Sequence, residues 1–180
     1  ALAKANPGVL NFGSSGTGGS PHLATELLKL MAEINMAHVP YKGLAPAIND
    51  LLGGQIEMVI ADANLVLPHA KAGKLRVLAV TSPARSSVMP EVPTVSEAAI
   101  PGYAAATWYG VLAPAGTLPE IVNRLHGEIV KILGTSSMRE SLSTQGSEPG
   151  GNTPEQFAAL LRSEIEKWRK LVKAAHITAQ

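Results

Sequence analysis

The chain contains no cysteine, which excludes disulfides, cysteine-ligated zinc and a thiol nucleophile. Aromatic residues make up only 4% of it, too few for a base-stacking surface. Lysine and arginine are scattered, no run of five like charges occurs, and the net charge is +1. The clustered basic footprint of a nucleic-acid binder is therefore missing. No apolar run approaches the ~18 residues of a membrane-spanning helix. The sequence also lacks GxxxxGK[ST], GxGxxG, GxSxG and HExxH, so neither a phosphate-binding lysine loop, a serine elbow nor a zinc helix is expected. His22, His38, His69, His126 and His176 show no metal-ligand spacing. No catalytic residue, metal or cofactor is expected. The chain begins with Ala1, without the charged and apolar regions of a signal peptide. Ala1 to Asn6 reads as the last turn of a helix that began earlier, stopped by Pro7.

Glycine and small hydroxyl residues are abundant in one place. Gly13 to Ser20 is an unbroken run of glycine, serine and threonine. It follows the apolar Val9–Phe12 and precedes a helical pattern. Ser20 reads as an N-cap and Pro21 as the first helical residue. A strand, a small-residue loop and a helix N-terminus in that order form an anion cradle, because unpaired N–H groups converge with the helix dipole. No lysine or arginine lies in the loop, so the expected guest is an anion held by amides and hydroxyls, such as a carboxylate. A purely structural βα turn is the competing reading.

At 180 residues the chain suits one domain or two small lobes. Helix and strand patterns alternate: a helix over His22–Ile34, a strand over Met36–Tyr41, a helix over Pro46–Leu52 closed by Gly53, and a strand over Ile56–Ala61. A helix over Leu67–Ala72 and a strand over Leu75–Thr81 follow. Near-continuous apolar strands suit a parallel sheet covered on both faces, and the order implies an open α/β layer. Pro83, Pro90, Pro93 and Pro101 mark an irregular connection with one short helix at Thr94–Ala99. Ala104–Ala113 reads as a strand. Two long amphipathic helices complete the chain: Leu118–Leu133, with Thr117 as its candidate cap, and Pro154–Ala175, opened by the capping box Thr153-Pro-Glu-Gln156. Two apolar helical faces with one strand to cover suggest partners outside this chain, whether more polypeptide or a second copy.

Several segments together resemble the Bug family, the solute receptors of tripartite tricarboxylate transporters. They are Asn11–Ala24 (NFGSSGTGGSPHLA), His38–Gly43 (HVPYKG), Pro46–Gln55 (PAINDLLGGQ), Ile60–Asp62, Gly73–Thr81, Pro90–Glu97, Thr107–Gly116 (TWYGVLAPAG) and Thr153–Phe157. The resemblance implies a periplasmic-binding-protein-like (type II) α/β fold of two lobes that close on a small organic carboxylate. Di- and tricarboxylates, amino acids and aromatic acids all fit that description. It further implies a periplasmic, non-enzymatic role with the transporter's membrane components as partners. Residues 1–106 would form the second lobe and 107–180 the returning part of the first, with the family's N-terminal portion lying outside this chain.

By the same resemblance Ser14, Ser15, Gly16, Thr17, Gly18, Gly19 and Ser20 correspond to a carboxylate clamp, and Tyr41, Gly43 and Ala45 to a second loop facing the cleft. His22 either donates to the ligand or packs. Tyr41 walls the pocket or packs at a strand end, and Lys42 reads as a solvated lysine. Asp62, at the end of a buried strand, binds an amine on the ligand or caps the next segment. Trp108 and Tyr109 line the pocket or pack at the crossover between lobes, while Glu164 and Lys167 solvate an outer helix. Two other functions fit the composition: the effector domain of a transcriptional regulator, and a dinucleotide-dependent enzyme. The second wants an acidic residue closing the next strand, and Met36–Tyr41 carries none.

Overall fold

A computed structural model describes residues 2–178 of the chain. Ala1, the first residue of the expected N-terminal turn, lies outside the described residues, and α1 spans Leu2–Ala5. Three short parallel strands, β1 (Asn11–Ser14), β2 (Ala37–Pro40) and β3 (Met58–Val59), form a sheet of order β2-β1-β3. Asn11 stands opposite Ala37 and Ser14 opposite Pro40, while Phe12 and Gly13 face Met58 and Val59. Between them run α2 (Ser20–Ala32) and α3 (Leu44–Leu52).

Strand periodicity sends alternate β1 side chains to opposite faces. Phe12 is fully buried on the face covered by α2, where Lys29 Nζ lies 5.4 Å from its ring centroid. Gly13 faces the other way. A Cβ there would stand 2.6 Å from Ile56 Cδ1 and 3.2 Å from both Ala47 Cβ and Val59 Cγ2. The missing side chain is what lets α3 lie so close to the sheet.

Helix boundaries move for identifiable reasons. Ser20 is not the N-cap of α2. Gly19 is, because its carbonyl already accepts the Leu23 N–H at 3.0 Å. The helix stops at Ala32, two residues before the expected Ile34, where Glu33 turns left-handed (φ 53°) and its N–H closes on Leu30. Helix α3 starts at Leu44, so Pro46 is its third residue and not its first. Helix α4 (Ala63–Lys71) starts four residues before the expected Leu67 and contains Pro68. That proline removes one N–H bond while its own carbonyl still accepts from Ala72 at 3.1 Å.

The predicted strand over Leu75–Thr81 does not form. Val80 makes one bridge to Thr94: its N–H donates to the Pro93 carbonyl, and its carbonyl accepts from Val95, both at 2.9 Å. The ladder ends there because Pro93 has no N–H and Thr94 turns into α5 (Val95–Ala98). Thr94 and Glu97 close that helix with a reciprocal capping box. Tyr103 and Ala105 then join Ala24 in a core cluster with Leu27, Leu28, Ile60, Val95, Ile100 and Trp168 around it. The Tyr103 hydroxyl donates to the Ala24 carbonyl at 2.9 Å, and burial raises its pKa well above the usual phenol value.

By contact density the chain divides into two compact units, Ala1–Ala106 with Trp168–Gln180, and Thr107–Lys167. The second holds α6 (Pro119–Leu133), α7 (Ser136–Thr144) and most of α8 (Pro154–Ala174). Helix α7 has no counterpart in the sequence-based expectations, although Thr135 caps it by accepting the Met138 N–H. Thr117 is not the cap of α6: its hydroxyl donates to Pro114, and Leu118 holds the cap position. The box at the start of α8 forms as expected, with Thr153 and Gln156 each accepting the other's backbone N–H. The predicted strand Ala104–Ala113 does not form: the Ala105 N–H donates to the Thr81 carbonyl at 2.8 Å, but no ladder develops from that bond among the described residues. Tyr109, Val111 and Leu112 are accordingly 86%, 76% and 76% exposed. Ile121, Leu125 and Ile132 of α6 are exposed as well.

Two glycine substitutions separate crowding from helix propensity. Gly13→Ala overpacks the α3 face and should lower stability by about 1–3 kcal/mol. Gly127→Ala sits inside α6 with nothing within 4 Å of the new methyl and should raise it by about 0.5–1 kcal/mol. Urea denaturation of both variants checks the pair, and an unchanged midpoint for Gly13→Ala would contradict the close packing.

Candidate functional site

In a doubly wound order such as β2-β1-β3, ligands bind beyond the carboxyl ends of the strands, where the chain reverses its direction of winding. The loop 15–19 leaves β1 at that end, residues 41–43 leave β2 there, and the segment to Asp62 leaves β3 there. The first two lie side by side: the Tyr41 N–H donates to the Ser14 carbonyl at 3.0 Å. The topology thus gathers the expected site residues at one end of one sheet.

The helices that begin there share one feature. Gly19, Gly43 and Asp62 occupy the N-cap positions of α2, α3 and α4, and none of the three helices receives a side-chain cap. Helix α6, with Leu118 at its cap position, has no side-chain cap either, whereas α5 and α7 are capped by Thr94 and Thr135 and Thr153 accepts the Gln156 N–H at the start of α8. First-turn N–H groups lack the usual partner four residues back; Pro21 and Pro46 have no N–H, Gly19 donates to Gly16 and Leu65 to Asp62, and the remainder in α2–α4 are left for water or a ligand. Asp62 occupies a cap position without the cap bond its sequence context allows.

Gly16 and Gly18 adopt φ of 129° and 80°, in the left-handed region where side chains are rarely accommodated. Two bonds from side chains fix the turn. Ser14 is fully buried; its Oγ accepts the Gly16 N–H at 3.2 Å and donates to the Gly16 carbonyl at 3.1 Å. The Gly18 N–H donates to His22 Nδ1 at 3.0 Å. Thr17 reaches a polar cavity of about 280 Å³ shared with His22, Glu26, Lys29 and residues 175–178. Ser20 is exposed at the first position of α2, and Ser15 is half-buried in the loop.

Beneath the loop three rings stack on the sheet: His22 on His38 at 3.9 Å between centroids, and His38 on Phe12 at 4.9 Å. His38 Nε2 lies 2.6 Å from Ser14 Oγ. The tautomer of His38 decides which of the two groups donates. Burial lowers the pKa of His22, with Lys29 adding to the effect and Glu26 opposing it. Burial pushes His38 down to about 4, helped by His22 beside it. Both rings are therefore neutral near pH 7.

In the second loop the Tyr41 hydroxyl donates to Asp50 Oδ2 at 2.7 Å, a bond that raises its pKa and secures the ring to α3. Gly43 (φ 111°) turns the chain into α3, and Ala45 is exposed in its first turn. Lys42 is exposed. In the other unit Trp108 packs edge-on to Phe157 at 5.5 Å while Tyr109 points to solvent. Glu164 and Lys167 pair with each other on α8. Sequence reasoning passed over His38 and Asp50. The signal for His38 was its register: it stands opposite Phe12 on the covered face of the sheet.

Both histidines bind protons more weakly in the folded chain than at the ordinary value of 6.5, His38 titrating at about 4. The unfolded chain therefore holds more protons between those values, and stability rises with pH across that window. Chemical denaturation should give full stability above about pH 6.5, a decline on acidification, and a plateau near pH 4. His38→Gln keeps a hydrogen-bonding partner for Ser14 without the titration and should shrink the decline. An unchanged profile in that variant would contradict the assignment.

Residues 1–177 match the family described as the tripartite tricarboxylate transporter family receptor. Protein BugT of Bordetella pertussis is 39% identical over 175 residues, covering 96% of this chain and 53% of BugT. A solved R. palustris protein with adipate superposes at a TM-score of 0.83 with 38% identity, over 98% of this chain and 59% of that one. MatC from Rhodopseudomonas palustris, with bound malate, gives 0.77 and 28%, over 95% and 59%. The chain spans about half the length of the relatives it matches. The fold is α/β of the periplasmic solute-binding kind, and the family is one of receptors, not of enzymes. By the match along its length, the chain belongs to the tripartite tricarboxylate transporter receptor family.

Proposed function

We propose that this chain carries part of the ligand site of a periplasmic receptor that captures a small organic carboxylate for a tripartite tricarboxylate transporter. The observation that carries this reading is the set of three helices starting without side-chain caps at one end of the sheet. Their first-turn amides, with the hydroxyls of Ser15, Thr17 and Ser20, supply hydrogen-bond donors and a positive dipole without a fixed cation nearby in the loop. Such donors suit an ionised acceptor, to which hydrogen bonds are roughly twice as strong as to a neutral one. Gly43 and Ala45 let the second loop approach, and the Tyr41 ring, held by Asp50, walls it. Adipate and malate in the two similar structures support a dicarboxylate of this size.

In this reading residues 1–106 belong to the second lobe and 107–180 to the returning part of the first. Ligand that touches both lobes shifts the population toward a closed state, which the membrane components receive. Asp62, exposed beyond β3, would repel a second carboxylate and favour a ligand bearing a hydroxyl or amine near it.

Calorimetric titration of the chain with adipate and malate, with NAD and ATP as controls, tests the reading. Carboxylate binding without nucleotide binding is expected. Thr17→Val and Ser20→Ala should each weaken it about tenfold, the effect of losing one hydrogen bond to a charged group. Binding of NAD alone, or carboxylate affinity indifferent to both substitutions, would overturn it.

A further inference from the structure

We propose that His22 is a positioning residue for the anion loop: its unprotonated Nδ1 accepts the Gly18 N–H and holds the loop in receiving shape, and protonation of the ring releases it. The inference deepens the carboxylate reading and rests on it for its functional consequence.

The loop needs such a tether. Gly16, Gly18 and Gly19 give its backbone unusual freedom, and ordering it on ligand binding would weaken affinity. Buried side chains fix it at two points, Ser14 Oγ on the Gly16 N–H and His22 Nδ1 on the Gly18 N–H. The two points are themselves joined, because His38 bonds Ser14 through Nε2 and stacks on His22 at 3.9 Å. Two amides of the loop, those of Gly16 and Gly18, are used to aim the rest.

The chemistry of the clasp is specific. Nδ1 accepts only while it carries no proton, so neutral His22 bears its proton on Nε2, 3.8 Å from Glu26 Oε1. Imidazolium has two donors and no acceptor, and Gly18 N–H then faces another N–H. The groups around the ring are Glu26 and Lys29 from α2, His38 from β2 and His176 from the segment after α8. Lys29 is bound to Glu26 at 2.7 Å, so the carboxylate that would welcome an imidazolium already serves a cation. With His38 stacked against it, the ring is held in the form the loop requires.

The test compares His22→Phe, which keeps a ring and removes the acceptor, with His22→Asn, whose amide oxygen lies near the position of Nδ1. In the ligand-free chain, NMR exchange of the Gly18 amide should be slow in the native protein, fast in the Phe variant and slow again in the Asn variant. Its chemical shift should titrate with the His22 ring in the native chain and be flat in the Asn variant. Adipate affinity at about pH 7.5 should fall about tenfold in the Phe variant and recover in the Asn variant, as expected for one hydrogen bond's worth of positioning. The buried Tyr103 ring signals report whether each variant is folded. Should the Phe variant unfold, the native titration decides alone: a Gly18 shift that ignores the His22 ring overturns the proposal. It is also overturned if Gly18 exchange is equal in a folded Phe variant, or if adipate binds that variant undiminished, which leaves the carboxylate reading intact. Failure of the native chain to bind adipate while the Gly18 amide behaves as expected overturns the carboxylate reading and leaves the clasp.

Discussion

The close approach of α3 to Gly13 is the constraint on which the sheet end depends. Strand β1 has four residues and is the one strand bonded on both sides. A side chain at Gly13 would press on Ala47 of α3 as well as on Ile56 and Val59, and the start of α3 carries Gly43 and the second loop with it. The opposite face is as demanding in another way: Phe12, His38 and His22 stack there, and the loop after β1 is hung from the last of these rings. One short strand therefore sets the height of α3 on one side and the shape of the glycine loop on the other.

This explains how much could be read from the residues alone. The glycine and serine loop, the helix after it and the helix expected over Pro46–Leu52 were visible because local chemistry determines them: proline in the first turn, Gly53 at the end of α3, and apolar spacing along one face, with the start of α3 two residues earlier than expected. The boundaries slipped wherever backbone bonding was decided by a carbonyl and not by a side chain, as at Gly19. Strands were the weak point. Leu75–Thr81 and Ala104–Ala113 have the apolar content of strands, but a strand exists only when a neighbour completes its ladder. Pro93 cuts the first short, and the second meets it through one bond, from the Ala105 N–H to the Thr81 carbonyl, which is too little for a ladder. Helix α7 was missed for the converse reason: Ser136–Thr144 has weak apolar spacing and is marked chiefly by its Thr135 cap.

At the candidate site the legibility was uneven in an instructive way. The loop residues are conspicuous because their composition is unusual. Their supports are not: His38 and Asp50 look like ordinary scattered polar residues. They become meaningful only when strand pairing sets His38 opposite Phe12 and helix α3 brings Asp50 under the Tyr41 hydroxyl. Sequence motifs show the groups proposed to face a ligand; the groups that hold them still are distributed through the fold.

A receptor that delivers its ligand must bind it without holding it permanently, and the electrostatics of this sheet end suit that need. Fixed cations in the loop would attract any anion strongly and at long range. Unpaired amides act only at hydrogen-bond distance and demand a particular geometry, so selectivity comes from shape. In the proposed carboxylate reading, the ligand itself is the missing cap of the helices around it. Binding then stabilises the fold by mass action, and the strength of that coupling depends on how well the loop is ordered beforehand. A neutral histidine stacked on the sheet and accepting the Gly18 amide is a means of ordering it without adding charge.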